Sequence, residues 1–267
     1  MNSAPPTPSR PLPRHVDEAG ILAALDALAP TPGAVLAFDA DGTIWAGDVA
    51  EDLMGAAVAA ELLRPEARPP MADLLEAHGL DSRGTASQLA HRIERHYQEG
   101  ALPERPTYEM MTWCYAGYTE REVEALARDV LAAEGLPDRV RPAMAPLLAF
   151  ARERRLRVQV VSASPIQIVR AGLALCGLHV DGVVAASPAI DGGVLAPRMG
   201  APMPYGPQKV VAAREVLGDA RWLASFGDSA FDFELLAAAE LAVVVGDRPA
   251  LRARLGELPR EVLIYEP

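Results

Sequence analysis

The chain has 267 residues, half of them hydrophobic, with 25 lysines and arginines against 36 aspartates and glutamates and a formal net charge of −11. That length suits one large α/β domain, or a core domain with a smaller one, and the apolar content supplies a substantial core. The negative field disfavours nonspecific binding to nucleic acid or to an anionic membrane, so a small anion would need a local positive site. Two cysteines, Cys114 and Cys176, lie far apart without metal-type spacing and read as reduced thiols rather than a disulfide.

In chain order, residues 1–16 are rich in proline and serine with no apolar signal core, and they read as a flexible tail. Residues 17–29 carry Ile21, Leu22, Leu25 and Leu28 at helical spacing behind an acidic start, and Pro30 and Pro32 break the pattern. Val35 to Phe38 is an apolar run of strand length that ends abruptly in Asp39-Ala40-Asp41-Gly42-Thr43. Two carboxylates at the end of a core strand are costly unless a cation, hydrogen bonds or raised pKa values compensate them.

From residue 48 to about 137 strand signals nearly vanish. Helices are expected over residues 48–63, 87–97 and 107–115, and Thr119 with Glu122 forms a capping box before Val123, Leu126, Val130 and Leu131. From Arg141 the pattern alternates. A helix over residues 144–154 feeds the strand 158–161, which ends in Ser162-Ala163-Ser164-Pro165, and a second helix runs to Cys176. Residues 180–185 and 193–196 flank Asp191-Gly192-Gly193 and are expected to form a hairpin. Then come a helix over residues 207–217 with Lys209 near its start, a strand over 222–226 running into Gly227-Asp228-Ser229-Ala230-Phe231-Asp232, and strands at 241–245 and 262–265. Such alternation predicts an α/β fold with a doubly wound parallel sheet, whose ligand site lies at the carboxyl ends of the strands. The expected division is a tail (1–16), a core (17–47 and 138–267) and an inserted all-helical domain (48–137).

Asp39, Ser162 and Asp228 all fall at strand ends. If Asp39, Asp228 and Asp232 converge, each like-charge pair near 4 Å costs on the order of 4 kcal/mol at an effective dielectric of about 20. A hard divalent cation removes that cost, and an all-oxygen ligand set suits magnesium better than zinc. Ser162 can donate a hydroxyl hydrogen bond, and Lys209 supplies a fixed positive charge for a phosphoryl oxygen and a carboxylate to share.

Four ordered motifs, Asp39-Ala40-Asp41-Gly42-Thr43, Ser162, Lys209 and Gly227-Asp228-Ser229 with Asp232, resemble those of the haloacid dehalogenase superfamily of aspartate-nucleophile phosphatases. Within it, Ser-Ala-Ser-Pro and Gly-Asp-Ser-x-x-Asp look most like phosphoserine phosphatase and similar enzymes. The resemblance implies that Asp39 attacks phosphorus and that Asp41 protonates the leaving oxygen and then activates water. It also implies that Mg2+ is held by Asp39, the Asp41 backbone carbonyl and Asp228, with Asp232 direct or through water. Ser162, Lys209 and the amides of Asp41, Gly42 and Ala163 would hold the phosphoryl group, and residues 48–137 would form a helical cap.

The implied substrate is a small phosphorylated metabolite, amine-bearing as in phosphoserine, with Asp48 placed to meet the amine. Trp113, Tyr115 and Tyr118, beside Met110 and Met111, offer an aromatic wall that makes phosphocholine or phosphoethanolamine a rival. A phosphomutase and a noncatalytic binding protein on the same fold are further alternatives. Taken singly, each residue has a plainer reading: Asp48 as a helix cap, the aromatic cluster as packing, Lys209 as a surface lysine. No apolar run is long enough to span a membrane, and a soluble cytoplasmic protein is the expectation. The sequence leaves the oligomeric state open.

Overall fold

Asp17 fixes the first helix: its carboxylate accepts from the Gly20 amide and caps α1 (Glu18–Ala27), which buries Ile21 and Leu25. In the computed structural model, which describes residues 12–267, α1 follows a short strand, β1 (Arg14–Val16). The strand β2 (Val35–Phe38) is buried at every position, as a strand covered on both faces must be.

Five α-helices follow without an intervening strand: α2 (Val49–Ala59), α3 (Arg68–Ala77), α4 (Ala86–Gln98), α5 (Glu104–Trp113) and α6 (Glu120–Ala133). The Thr119–Glu122 capping box forms as the spacing predicts, and a second box, Thr85 with Gln88, opens α4. Helix α3, which carries Pro69 and Pro70, has no counterpart in the sequence reading. Both prolines sit in its first turn, where a missing N–H loses no intrahelical bond.

The remainder alternates as expected: α7 (Met144–Arg154), β3 (Arg157–Pro165), α8 (Ile166–Leu175), β4 (Gly182–Ala186), β5 (Pro188–Asp191), β6 (Val194–Met199), α9 (Pro207–Leu217), β7 (Trp222–Gly227), α10 (Phe233–Ala237), β8 (Leu241–Val245), α11 (Pro249–Arg252) and β9 (Glu261–Tyr265). Seven strands form one sheet in the order β1-β9-β8-β7-β2-β3-β4. Every pairing in it is parallel. From β2 the chain builds outward through β3 and β4, then crosses to β7, β8 and β9 on the other side. The order reverses beside β2, and its carboxyl end is the switch point where such sheets bind ligands. Phe38 and Phe226 stack there with centroids 4.2 Å apart, tying β2 to β7 just below the loops.

Two expectations need correction. Arg14–Val16, read as part of the tail, pairs with Leu263, Ile264 and Tyr265 as an edge strand, because β9 otherwise leaves that edge open. The tail residues 1–11 lie outside the described residues. The hairpin at Gly192-Gly193 forms, but from β5 and β6. The apolar run at 182–186 instead extends the main sheet beside β3, where Ala185 and Ala186 are buried. Among the described residues, no helix is long and apolar enough to cross a membrane.

Candidate active site

The loop after β2 turns on one glycine. Gly42 has φ +78°, and a Cβ there would stand 2.1 Å from Asp228 Oδ2, so only glycine lets the β2 loop close on the β7 loop. Asp39 is anchored from the other side, its amide donating to Phe226 O at 2.9 Å. Gly227 works the same way at the end of β7, where a Cβ would lie 2.4 Å from that of Asp232.

Lys209, in the first turn of α9 and 2% exposed, joins the two loops. Its Nζ donates to Asp39 Oδ1 at 2.6 Å and to Asp232 Oδ1 at 2.5 Å. Burial alone would lower the ammonium pKa, but the two carboxylates more than offset this, and the net shift is upward, so the charge is kept. Asp232 is fully buried, and its Oδ2 accepts from the Asp228 amide, the Ser229 amide and Ser229 Oγ. With both oxygens engaged, Asp232 orients Lys209 and the loop.

Burial, then the charges of Asp232 and Asp228, hold the Asp39 carboxyl well above the ordinary range despite Lys209. Burial and Asp232 push Asp228 up to about 6, although Arg248 forms an ion pair with it, Nε 2.8 Å from Oδ2. Asp39, Asp228 and Asp232 each bring an oxygen to within 4.8 Å of the others. Buried carboxylates crowded against one another, with no sulfur or imidazole among them, fit a hard divalent cation.

Asp41, two residues beyond Asp39, has a different set of partners. Its Oδ1 accepts from Trp45 Nε1 at 2.8 Å and from the Val49 amide at 2.9 Å, and its Oδ2 from Ser164 Oγ at 2.6 Å. Burial, and next the charge of Asp48, raise its carboxyl to about 7 against the lowering effect of those bonds. A carboxyl so placed can give and take a proton near neutrality.

Ser162, 1% exposed where the register of β3 with β4 shifts, accepts from the Ser164 amide at 3.0 Å and keeps its own hydroxyl proton to donate. Ala163 lines the same cavity, whose volume is about 130 Å³. Gly42 does not serve as the sequence suggests. Its amide donates to Gly47 O at 3.1 Å, so the residue contributes close approach rather than a free donor.

The facing wall comes from α2, α5 and two loops. Asp48 both caps α2, its Oδ1 accepting from the amides of Ala50 and Glu51, and lines the cavity. Trp113 and Tyr115 do not line it. They are 8% and 1% exposed and packed in the helical core. Tyr118 carries Arg64 3.6 Å above its ring and donates its hydroxyl to Leu62 O.

The α5 residues that line the cavity are Tyr108 and Met111, three apart and therefore on one face, whereas Trp113 lies about 140° further round. Tyr205 and Phe231 continue this wall, with ring centroids 6.0 Å from Tyr108 to Tyr205 and 4.5 Å from Tyr205 to Phe231. Tyr108, Tyr205, Ser164 and Arg248 have no role in the sequence reading. The usable signals were the i, i+3 spacing of Tyr108 with Met111 and the place of Ser164 inside the second motif.

This arrangement agrees with the comparisons. A profile of the haloacid dehalogenase-like hydrolase family matches residues 36–237. The chain belongs to that family. No curated protein matches it.

Solved structures share the fold at low identity. A protein of unknown function from Bordetella pertussis Tohama I is 19% identical, with 87% of this chain and 99% of that one covered and a TM-score of 0.64. A conserved protein of unknown function from Anaerococcus prevotii DSM 20548 is 18% identical, with 93% and 92% covered and a TM-score of 0.65. A phosphoserine phosphatase, as an analogue of its phospho-aspartyl intermediate, is 15% identical, with 88% and 94% covered and a TM-score of 0.51.

Proposed function

We propose that the protein is a magnesium-dependent phosphatase that hydrolyses the phosphomonoester of a small, amine-bearing metabolite through a phosphoaspartate on Asp39. The observation that carries this reading is the contrast within one loop. Asp39 lies against the Lys209 ammonium, while Asp41 is held apart by Trp45, Val49 and Ser164 with its carboxyl near 7. A nucleophile must be an anion, a state that Lys209 and a bound cation favour at Asp39 against the burial that raises its carboxyl, and an acid and base must carry a proton it can release.

Asp39 Oδ2, the oxygen not bonded to Lys209, attacks phosphorus as the ester oxygen leaves with the proton of Asp41. The Asp41 carboxylate then takes a proton from water, whose oxygen displaces Asp39 and releases inorganic phosphate. Ser162 and Lys209 hold the phosphoryl oxygens throughout, where charge develops. Asp39 and Asp228, with the Asp41 carbonyl, would hold Mg2+, and Asp232 stands behind them. When bound, the ion neutralises the carboxylates and polarises the phosphoryl group. Residues 48–137 act as the cap that closes the cavity from bulk water. The shared fold with phosphoserine phosphatase supports this reading, as does the Asp48 carboxylate on the facing wall.

The test is release of inorganic phosphate, with and without magnesium, from phosphoserine, phosphocholine, phosphoethanolamine, sugar phosphates and nucleotides. Magnesium-dependent hydrolysis of at least one amine-bearing ester is expected. No release from any member of the panel would sink the reading.

A further inference from the structure

The wall facing the phosphoryl site carries more information than a general preference for amines. Tyr108, Tyr205 and Phe231 form a continuous aromatic series beside Met111 and Asp48. Their polar ends are already engaged. Tyr205 donates its hydroxyl to Glu104 Oε2, Tyr97 donates to Glu104 Oε1, and the Tyr108 hydroxyl pairs with that of Tyr97 at 3.2 Å. The rings therefore offer the cavity their π-systems and edges, with the hydroxyls committed elsewhere.

Asp48 is similarly half used, because Oδ1 accepts two amides of α2 and only Oδ2 is left. Its charge reaches Tyr108, whose hydroxyl is pushed up by burial first, then by Tyr97, Glu104 and Asp48. Negative charge and aromatic rings thus share one wall, and a cation is the natural occupant.

Hydrogen-bond counting selects among cations. A primary ammonium brings three N–H donors, and burying them without acceptors is costly. This wall offers one carboxylate oxygen and otherwise ring and thioether surface. A trimethylammonium brings no donor, presents methyl groups to the rings, and keeps its charge for Asp48 and the π-faces.

The composition of this wall also argues against an amino-acid substrate: none of Asp48, Tyr108, Met111, Tyr205 and Phe231 is a cation that could meet a substrate carboxylate. The lining cations Lys209 and Arg248 stand on the carboxylates of the phosphoryl site. We infer that the second half of the cavity is a quaternary-ammonium subsite, built from Asp48, Tyr108, Met111, Tyr205 and Phe231, and that the substrate is a phosphomonoester of a methylated amino alcohol, phosphocholine being the simplest. This inference rests on the phosphatase reading above and narrows it.

The experiment compares kcat/KM for phosphocholine, its uncharged carbon isostere 3,3-dimethylbutyl phosphate, phosphoethanolamine and phosphoserine, with p-nitrophenyl phosphate as a general reporter. Phosphocholine is expected to exceed the isostere, phosphoethanolamine and phosphoserine by about tenfold or more. In Tyr108→Leu and Phe231→Leu the ratio of phosphocholine to isostere, read within each variant, collapses towards one.

Hydrolysis of the reporter or the isostere with no preference for phosphocholine overturns the inference while leaving the phosphatase reading intact. A preference for phosphoethanolamine or phosphoserine overturns it as well. If no ester is hydrolysed, the phosphatase reading fails, and calorimetric titration of the protein with phosphocholine and with the isostere then decides the subsite. Tighter binding of phosphocholine supports it, and equal or absent binding of both overturns it.

Discussion

The two halves of the cavity are built on opposite physical principles. On the sheet side, Asp39, Lys209 and Asp232 are almost wholly buried and hold one another by charge-assisted bonds of 2.5–2.6 Å. On the facing side, Tyr108 and Met111 of α5 with Tyr205 and Phe231 of two core loops shape the space with apolar surface, and a single carboxylate, Asp48, supplies the charge. Charge fixed by covalent spacing and mutual pairing can perform one reaction on many esters. A wall of rings discriminates by size and hydration. Chemistry and selectivity are thereby assigned to different side chains, even where Phe231 shares a loop with Asp228 and Asp232, and substitutions should separate them.

The largest effect is expected on the sheet side. Asp39→Asn removes the nucleophile and should leave no measurable magnesium-dependent phosphate release; a variant with near wild-type turnover would refute the role. Asp41→Asn should lower kcat by about 10²–10⁴, and it should also change stability in the opposite direction. The folded carboxyl titrates near 7 rather than the ordinary 3.8. As pH rises from about 4 to 7 the unfolded chain loses a proton that the folded one retains, so the folded state loses stability across that window. Without magnesium, Asp41→Asn is therefore expected to be more stable at pH 8 by on the order of 2 kcal/mol, with the advantage vanishing near pH 4. Urea melts at the two pH values measure it.

Lys209→Met leaves two buried carboxylates facing each other without a cation, and a loss of about 3–5 kcal/mol is expected in the same melts. An unchanged midpoint would mean that the pair is not buried as a unit. On the aromatic wall effects should be smaller and confined to substrate choice. Tyr205→Phe deletes the hydroxyl bonded to Glu104 while keeping the ring, and KM for the preferred ester should rise only a few fold with kcat nearly unchanged. A fall in kcat as large as that of Asp41→Asn would place Tyr205 in the chemistry instead.

Legibility in the sequence follows the same division. The parallel sheet was readable because β2, β3, β7 and β8 are short apolar runs that close on polar loops, and the strand-end residues Asp39, Ser162 and Asp228 needed no tertiary information to be singled out. Errors concentrate where a residue's direction depends on its neighbours. Trp113 and Tyr115 look like cavity residues by composition, yet α5 turns Tyr108 and Met111 to the cavity while Trp113 and, just past the helix end, Tyr115 pack into the core. Gly42 looks like a free amide, yet the loop folds that amide onto Gly47.

By itself, then, the sequence determined the strand ends, the spacing of Asp39 and Asp41 and the helical character of residues 48–137, because local periodicity and covalent spacing act over a few residues. The tertiary structure decided which oxygen of each carboxylate is engaged, which neighbours raise or lower each carboxyl, and which rings face the cavity. Those properties arise from burial and from contacts between residues as distant as Asp41 and Ser164, Asp39 and Lys209, or Glu104 and Tyr205. No local pattern encodes them.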